Sequence, residues 1–315
     1  MQTKLYTDYS DFLNRYFSQK VQKISIHAGF TCPNRDGTIG IGGCTYCNNQ
    51  TFSPEYCHTG KTIAEQLNEG IRFFSRKYPA MCYLAYFQAY TNTYATLEKL
   101  KRYYEEALSV EGVVGLVIGT RPDCMPDSLL YYLQRLAENY FVLVEYGVET
   151  TDNHTLSAIN RGHSWETAQE TIGRTAQAGL LQGVHCILGL PGESHQSMMQ
   201  SAAIIGKLPL QTVKLHQLQL IRHTKMAEEY ANYPERFRLY DVDEYIDLAI
   251  DYIERIPPHI AIERFTSQSP KELLIAPNWG LKNYEFTHRL LKRMKARNSY
   301  QGRLVSEITP ACRCD

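Results

Sequence analysis

The feature that most constrains the fold is a regular alternation of strand-like and helix-like segments. Six apolar runs of strand length alternate with segments of helical period, at residues 24–27, 83–87, 113–118, 141–148, 184–188 and 213–220. Such alternation predicts a parallel α/β sheet with right-handed crossover helices, which curls toward a barrel. Because six units are fewer than the eight of a closed barrel, we predict a partial (β/α)6 TIM-like barrel.

The ends of the predicted helices carry their own signals. Ser164 has Thr167 three positions later, which is typical of a helix N-cap, and Gly179 is typical of the residue that follows a helix. Asp241 is a second N-cap candidate. Other helices are predicted to begin near Thr62, Thr96 and Asp127.

The pattern changes after residue 225. A helix from Asp241, a strand over 260–264 and a basic stretch over 282–297 predict an α+β C-terminal extension. We therefore expect a core with an N-terminal lead-in over 1–225, an extension over 226–303 and a flexible tail over 304–315. The tail contains Cys312 and Cys314.

Composition excludes few functions. Lys+Arg and Asp+Glu both number 33, so net charge argues neither for nor against nucleic acid. The sequence has no signal-peptide pattern and no apolar run of the roughly 20 residues that a membrane span needs. We expect a cytoplasmic protein without a membrane partner, whose nine cysteines are thiols or metal ligands.

Three cysteines, Cys32, Cys44 and Cys47, lie in a glycine-rich loop after the first predicted strand. Thiolates suit zinc or an iron–sulfur cluster. Three ligands from one loop leave a fourth position open, which suits a four-iron cluster with an exogenous ligand. However, Cys57 lies ten residues after Cys47 and could close an all-thiolate zinc site. The cysteines alone leave both readings open.

The other unusual segments all follow predicted strands. They are 88–92, 120–123, Glu149, 189–193 and 221–224. Because the carboxyl ends of parallel strands meet at one rim, these segments are expected to converge beside the cysteine loop. A lone zinc knuckle would not predict this arrangement.

As a set, these motifs resemble the radical S-adenosylmethionine (SAM) superfamily. The loop reads CPNRDG…GGCTYCN and is followed by TRPD, YGVET, INRGH and LGLPGE. Over roughly residues 5–300, the chain resembles the elongator-catalytic-subunit-like branch and, within it, the YhcC-type proteins. The resemblance implies that Cys32, Cys44 and Cys47 hold a [4Fe–4S] cluster. It also implies that SAM, bound to the fourth iron, is cleaved reductively to a 5′-deoxyadenosyl radical that abstracts hydrogen from an unknown substrate.

The resemblance also implies positions for SAM. Glu149 would contact the ribose or the methionyl end of SAM, and its alternative role is a salt bridge at the barrel mouth. Arg161 would pair with the SAM carboxylate, and its alternative role is a solvated cation in a loop. His185 stands where relatives often carry a ribose-binding aspartate, or is a core histidine. The resemblance places Ile187, Gly189, Leu218 and Leu220 near the adenine. It places Gln88 near the amine of SAM.

No catalytic residue is assigned. Arg121 and Asp123 are candidates for substrate or SAM contacts, or a helix-capping pair, and Cys57 is a third candidate. An external flavodoxin- or ferredoxin-like electron donor is implied. Elongator-like relatives act on tRNA, so tRNA is a candidate substrate, and the stretch 282–297 would contact phosphates unless it is a solvated helix face. The competing functions are a zinc-stabilised binding module and a cluster-bearing redox sensor without turnover.

Overall fold

The computed structural model describes residues 4–51, 54–76 and 81–305. Within these ranges the strands are β1 Lys20–Ile26, β2 Met81–Phe87, β3 Val113–Thr120, β4 Phe141–Glu149, β5 Leu181–Leu188, β6 Thr212–Gln217, β7 Leu220–Ile221, β8 Ala261–Arg264 and β9 Leu274–Ala276. The helices are α1 Tyr9–Leu13, α2 Ile63–Ser75, α3 Leu97–Leu108, α4 Asp127–Leu136, α5 Asn153–Ala158, α6 Trp165–Gln177, α7 His195–Ile205, α8 Lys225–Asn232, α9 Val242–Ile253 and α10 Asn283–Ala296.

The main sheet confirms the predicted partial barrel but has one strand more. Its order is β1-β2-β3-β4-β5-β6-β8, and all neighbours are parallel. The additional strand β8 comes from the segment that the sequence assigned to the extension, and it pairs with β6. The domain boundary after residue 225 therefore stays a proposal, because the sheet continues beyond it.

The sixth strand is shorter than predicted. It ends at Gln217, and the backbone N–H of Leu218 makes the last hydrogen bond of the ladder with β5, to the carbonyl of Leu188 at 3.0 Å. Leu220 and Ile221 instead form β7, which pairs antiparallel with β9. The predicted run 213–220 thus divides between two sheets.

The predicted helix starts are confirmed. The side chains of Thr62, Thr96, Ser164 and Asp241 each accept a hydrogen bond from the backbone N–H three residues later, which satisfies a donor that the helix leaves free. Gly179 follows α6 with a φ of +71°, as expected of a residue in the left-handed region after a helix.

The inward face of β4 shows how the concave side of the sheet is layered. Phe141 and Leu143 pack in a small apolar cluster with α1, which closes one end of the barrel. Two residues further, Glu145 is buried among charged groups. Gly147 and Glu149 follow at the carboxyl end of the strand. Because side chains alternate along a strand, these five residues share one face, which runs from an apolar floor to a polar rim.

Two expectations from the sequence concern membranes and the tail. In the part of the chain that the structure describes, no helix combines the length and apolar character needed to cross a membrane. Most of the predicted tail, including Cys312 and Cys314, lies outside the described residues.

Candidate functional site

The cysteine loop connects β1 to α2 and covers the carboxyl ends of the strands. Cys32, Cys44 and Cys47 all line one cavity, which opens to solvent and contains about 810 Å³ of empty space including its mouth. The same cavity is bordered by Gln88, Arg121, Glu149, Arg161 and His185. The structure thus brings the cysteine triad together with five of the other residues that the sequence singled out.

The segment Ile159–His163 holds the loop in place. The side-chain amide of Asn34 donates to the carbonyl of Asn160, and the amide of Asn160 donates to the carbonyl of Gly43 at 2.9 Å. A Cβ on Gly40 would lie 2.3 Å from Oδ1 of Asn34, so only glycine allows this close packing. The INRGH motif therefore positions the cysteines as well as Arg161.

Nitrogen donors surround the three sulfur atoms, and such contacts stabilise negative charge on thiolates. They are Nη1 of Arg161 at 3.5 Å and Nδ2 of Asn34 at 3.7 Å from Cys44, Nδ2 of Asn49 at 3.4 Å from Cys47, and Nη1 of Arg121 at 4.0 Å from Cys32. Arg35 donates to the carbonyl of Cys47 at 2.9 Å.

Arg161 joins the cysteine loop to Glu149. Its Nη2 lies 3.6 Å from Oε1 of Glu149, while Nη1 contacts Cys44. Glu149 has a φ of +67°, and the pairing of β4 with β5 shifts between Gly147 and Glu149. A non-glycine residue in this region costs about 1–3 kcal/mol and is typical of functional sites. The bulge turns the Glu149 carboxylate toward Arg161.

Arg121 and Asp123 form a bidentate ion pair with N–O distances of 2.9 and 2.8 Å. Arg121 is buried and lines the cavity beside Cys32. Asp123 is not among the described residues that line the cavity, so its role in the structure is to fix the guanidinium.

Cys57 is not positioned as a fourth ligand. Its Sγ donates to the carbonyl of Ser25 at 2.8 Å, and burial raises the pKa of this thiol to about 12. Among the described residues, no group of three or more His, Cys, Asp or Glu side chains could hold a metal ion. The structure therefore does not support the all-thiolate zinc site, which requires four converging ligands.

The donor set does fit a four-iron cluster. Such a cluster spans several ångströms, so its thiolates surround a space and do not converge on one point. The three cysteines all line the same cavity, as such a cluster requires. In addition, Nε of Arg161 is buried without a hydrogen-bond partner in the described structure, which leaves a donor available to a bound group.

A second cavity, of about 680 Å³, adjoins the first, and Glu149 and His185 line both. Ile187 and Leu218 line this second cavity. Leu220 is fully buried and borders neither of these two described cavities.

Two further SAM candidates have other contacts. Gly189, with a φ of +90°, packs against Tyr240, and a Cβ there would lie 3.1 Å from that ring. It borders neither of the two described cavities. Gln88 does line the first cavity, where its Oε1 accepts a hydrogen bond from the Ser25 hydroxyl at 3.3 Å.

Sequence reasoning missed a buried layer of charges below the site. Lys23 and Lys214 contact Glu145 at 2.6 and 2.7 Å, and both contact Glu263 at 2.9 Å. His185 lies 2.9 Å from Glu145. Burial alone would raise the pKa of Glu145, but the two lysines and His185 lower it well below its usual range. The sequence did contain a signal for this layer, because Lys23, Glu145 and Lys214 each place a charge within a strand.

Sequence reasoning also missed other residues that line the cavity, among them Tyr46, His216 and Arg264. Tyr46 lies between Cys44 and Cys47 in the sequence, so its position followed from the motif. His216 and Arg264 lie within the last two residues of β6 and β8, where a polar residue at the carboxyl end of a strand was the only signal.

Glu193, the last residue of LGLPGE, has an unusual carboxyl group. It accepts from the Thr150 hydroxyl, but Oε2 is buried without a partner in the described structure. Burial raises the pKa of Glu193 from 4.5 to about 7. Because the folded chain binds this proton more tightly than the unfolded chain, stability is lost as the pH rises through that interval.

Glu193→Gln is therefore expected to raise the Tm at pH 8 by about 3 °C and to change it little at pH 4.5. The exposed Glu235 provides a control, because Glu235→Gln should have no effect at either pH. Calorimetric melting at the two pH values is the measurement. An equal change at both would show that the effect of Glu193 is not its ionisation.

Two family models match the chain. The family model for the radical SAM superfamily matches residues 31–205, and the model for the radical SAM C-terminal domain matches residues 210–296. The chain is 34% identical to protein YtqA of Bacillus subtilis (strain 168) over 305 residues, which cover 97% of this chain and 94% of YtqA. It is 38% identical to protein YhcC of Escherichia coli (strain K12), over 88% of each chain.

A solved structure is similar in fold. The archaeal Methanocaldococcus infernus Elp3 with an N-terminal deletion superposes with a TM-score of 0.68 at 17% identity. The match covers 90% of this chain and 64% of that chain, so this chain spans less than two thirds of the Elp3 structure.

Proposed function

Because this chain belongs to the radical SAM superfamily, we propose that it is a radical SAM enzyme whose two adjoining cavities hold SAM and a substrate. The proposal rests on one observation above all. Arg161 links Cys44 to Glu149 on the wall of the cavity that the three cysteines share. A cluster ligand and two groups suited to SAM thus meet in one place.

Cys32, Cys44 and Cys47 would hold a [4Fe–4S] cluster with one iron free of protein ligands. When bound and reduced, the cluster supplies the electron that cleaves SAM to a 5′-deoxyadenosyl radical capable of abstracting hydrogen. The electron would come from an external flavodoxin- or ferredoxin-like donor. The protein's own contribution is to position these groups at one place in the cleft.

Specific residues are suited to the parts of SAM. The Nε of Arg161 has no partner in the described structure and can donate to a carboxylate. Its Nη groups contact Cys44, Gly147 and Glu149. The Glu149 carboxylate can accept from an ammonium group or from ribose hydroxyls. Ile187 and Leu218 give the second cavity an apolar wall that suits the adenine ring.

We propose Gly147 as the residue that makes room for this arrangement. A Cβ at this position would lie 2.7 Å from Nη2 of Arg161 and 2.8 Å from Oε1 of Glu149. Gly147→Ala is expected to displace both side chains and to weaken SAM binding about tenfold, or about 1.4 kcal/mol. Equilibrium dialysis of SAM against the reconstituted protein measures this.

Gly173 offers a matched control for that substitution. It lies in α6, and a Cβ there would have no neighbour within 4 Å. Gly173→Ala should leave the affinity for SAM unchanged. Equal affinities of Gly147→Ala and the wild type would mean that Arg161 and Glu149 do not bind SAM.

A tRNA substrate is the other candidate that the Elongator-like resemblance supports. The basic stretch is only partly free for it, because Arg293 and Arg297 on or just after α10 pair with Asp247 of α9 at 3.1 and 3.0 Å. Binding of tRNA at low salt, weakening steeply as salt rises, would support this substrate class. Absence of binding at low salt would remove it.

The experiment that tests the proposed function is formation of 5′-deoxyadenosine. Protein reconstituted with iron and sulfide is incubated with SAM and dithionite, and the product is quantified by chromatography. The radical SAM enzyme forms 5′-deoxyadenosine well above the amount made by protein without cluster. A cluster that binds SAM without forming this product would indicate a redox sensor, and stoichiometric zinc without iron would indicate a binding module.

A further inference from the structure

Arg264 presents a guanidinium to the first cavity without a carboxylate partner in the described structure. Its Nη2 lies 3.1 Å from Nδ1 of His216 and 3.4 Å from Oγ of Ser267. Its Nε is buried and has no hydrogen-bond partner there. An unsatisfied buried donor on a permanently charged group is costly unless a ligand or water completes it.

Most other charged groups near this arginine are paired, although Arg35, at the cysteine loop, contacts the carbonyl of Cys47 and no carboxylate in the described structure. In the layer below, two lysines face two glutamates, Glu145 and Glu263. At the rim, Arg121 pairs with Asp123, and Arg161 pairs with Glu149.

The remaining neighbours do not supply the missing negative charge. Burial and the positive charge of Arg264 lower the pKa of His216 well below its usual range, and burial also lowers the pKa of His185. Both rings are therefore neutral near pH 7. Among the residues that the structure describes, no group on this wall of the cavity therefore neutralises the charge of Arg264.

The position of Arg264 connects it to the proposed chemistry. It lies at the end of β8, on the same cavity as the three cysteines and Glu149. The rings of His185 and His216 are 5.4 Å apart, so polar side chains continue from the Glu149 side of the cavity to Arg264. A group bound at Arg264 would therefore occupy the space beside the proposed SAM site.

We propose that Arg264, together with His216 and Ser267, binds an oxyanion of a small-molecule substrate, either a carboxylate or a phosphate. The guanidinium fork matches two oxygen atoms of such a group, and the Ser267 hydroxyl can turn to donate to it. Fixing one end of the substrate in this way would orient the rest of it toward the reacting centre. This inference rests on the proposed function, because it assigns the substrate class of the same site.

A small molecule fits this position better than a nucleic acid. Arg264 is only partly exposed, is paired with Lys214 of β6 in the sheet register and lines the cavity. The phosphates of a folded RNA lie on its outside and are contacted from a protein surface. A tRNA backbone is thus less suited to reach this guanidinium than a free carboxylate or phosphate.

Isothermal titration calorimetry with sodium malonate and with inorganic phosphate, at constant ionic strength, tests the proposal on the reconstituted protein. The wild type is expected to bind at least one of the two probes, and the stronger probe identifies the oxyanion. Arg264→Gln is expected to weaken that binding at least about tenfold, since the fork is lost. Arg264→Lys, which keeps the charge, should weaken it less.

Arg236→Gln is the control, because Arg236 is exposed and its contact with Glu229 is long, at 3.9 Å. It should bind the probe as the wild type does. Absence of probe binding to the wild type, or equal binding by Arg264→Gln, would overturn the inference. So would tRNA binding that requires Arg264 when neither small probe binds.

The same preparations are dialysed against SAM, which separates this inference from the proposed function. Wild-type protein that binds SAM and neither probe would refute the oxyanion site alone. Wild-type protein that binds a probe through Arg264 but holds neither cluster nor SAM would refute the proposed function and leave the anion site standing.

Discussion

Replacing Cys44 by alanine is expected to remove the cluster and with it the activity. Cys44 lines the shared cavity and lies 3.5 Å from Nη1 of Arg161, so its loss removes one of the three proposed ligands and the link to Arg161. With two thiolates left, iron in the reconstituted protein should fall to background. Formation of 5′-deoxyadenosine should fall at least about a hundredfold, since the chemistry belongs to the cofactor.

Cys57→Ser is the matched control for this prediction. The Cys57 thiol donates to the Ser25 carbonyl, and a serine hydroxyl can make the same hydrogen bond. Iron content and 5′-deoxyadenosine formation should therefore equal those of the wild type. Loss of metal in Cys57→Ser, together with its retention in Cys44→Ala, would contradict the assignment of the ligands.

Replacing Glu145 by glutamine is expected to destabilise the fold by about 3 kcal/mol, because two buried lysines would lose a counter-charge. Glu145 is 1% exposed and contacts Lys23, Lys214 and His185. Urea unfolding, with both the midpoint and the slope compared, measures the loss. In Glu229→Gln, which alters an exposed pair, no measurable change is expected.

A second substitution separates charge balance from simple packing. Lys214→Met added to Glu145→Gln leaves Lys23 paired with Glu263, so the layer is neutral again. The double variant should lose at least about 1 kcal/mol less than the sum of the two single losses. Strict additivity would show that the charges do not act as one network.

The elements that the sequence predicted well depend on local chemistry. The N-cap at Ser164 and the glycine at 179 act within one helical turn, so the printed residues sufficed. The alternation of strands and helices predicted the parallel sheet, because that pattern can be read directly along the chain. The sixth strand was extended too far, because Leu220 and Ile221 leave the main sheet to pair with β9, a segment distant in the sequence.

The sequence predicted which segments of the site lie near each other, but not which of their side chains make contact. Strand ends of a parallel sheet meet at one rim, which placed the cysteine loop and Glu149 together in advance, whereas a place for Arg161 came only from the family resemblance. Their contact depends on the bulge after Gly147, which no local pattern indicated. For Cys57, closeness in sequence suggested a ligand, whereas its side chain turns toward Ser25.

The buried charges show where sequence reasoning stops. Lys23 and Glu145 are 122 residues apart, and Lys214 lies 69 residues beyond Glu145. Each is visible as a charge within a strand, but their pairing depends on strand order and register. The place of β8 in the main sheet could not be predicted for the same reason. Its pairing with β6 depends on the order of strands in the folded sheet.

The most direct test of the central assignment is electron paramagnetic resonance of the reduced, reconstituted protein before and after addition of SAM. A three-cysteine [4Fe–4S] cluster with one open iron predicts about four iron atoms per chain. It also predicts a spectrum that changes when SAM binds, because a new ligand alters the paramagnetic centre. A cluster signal that SAM leaves unchanged, or a chain that holds zinc and no iron, would contradict the assignment.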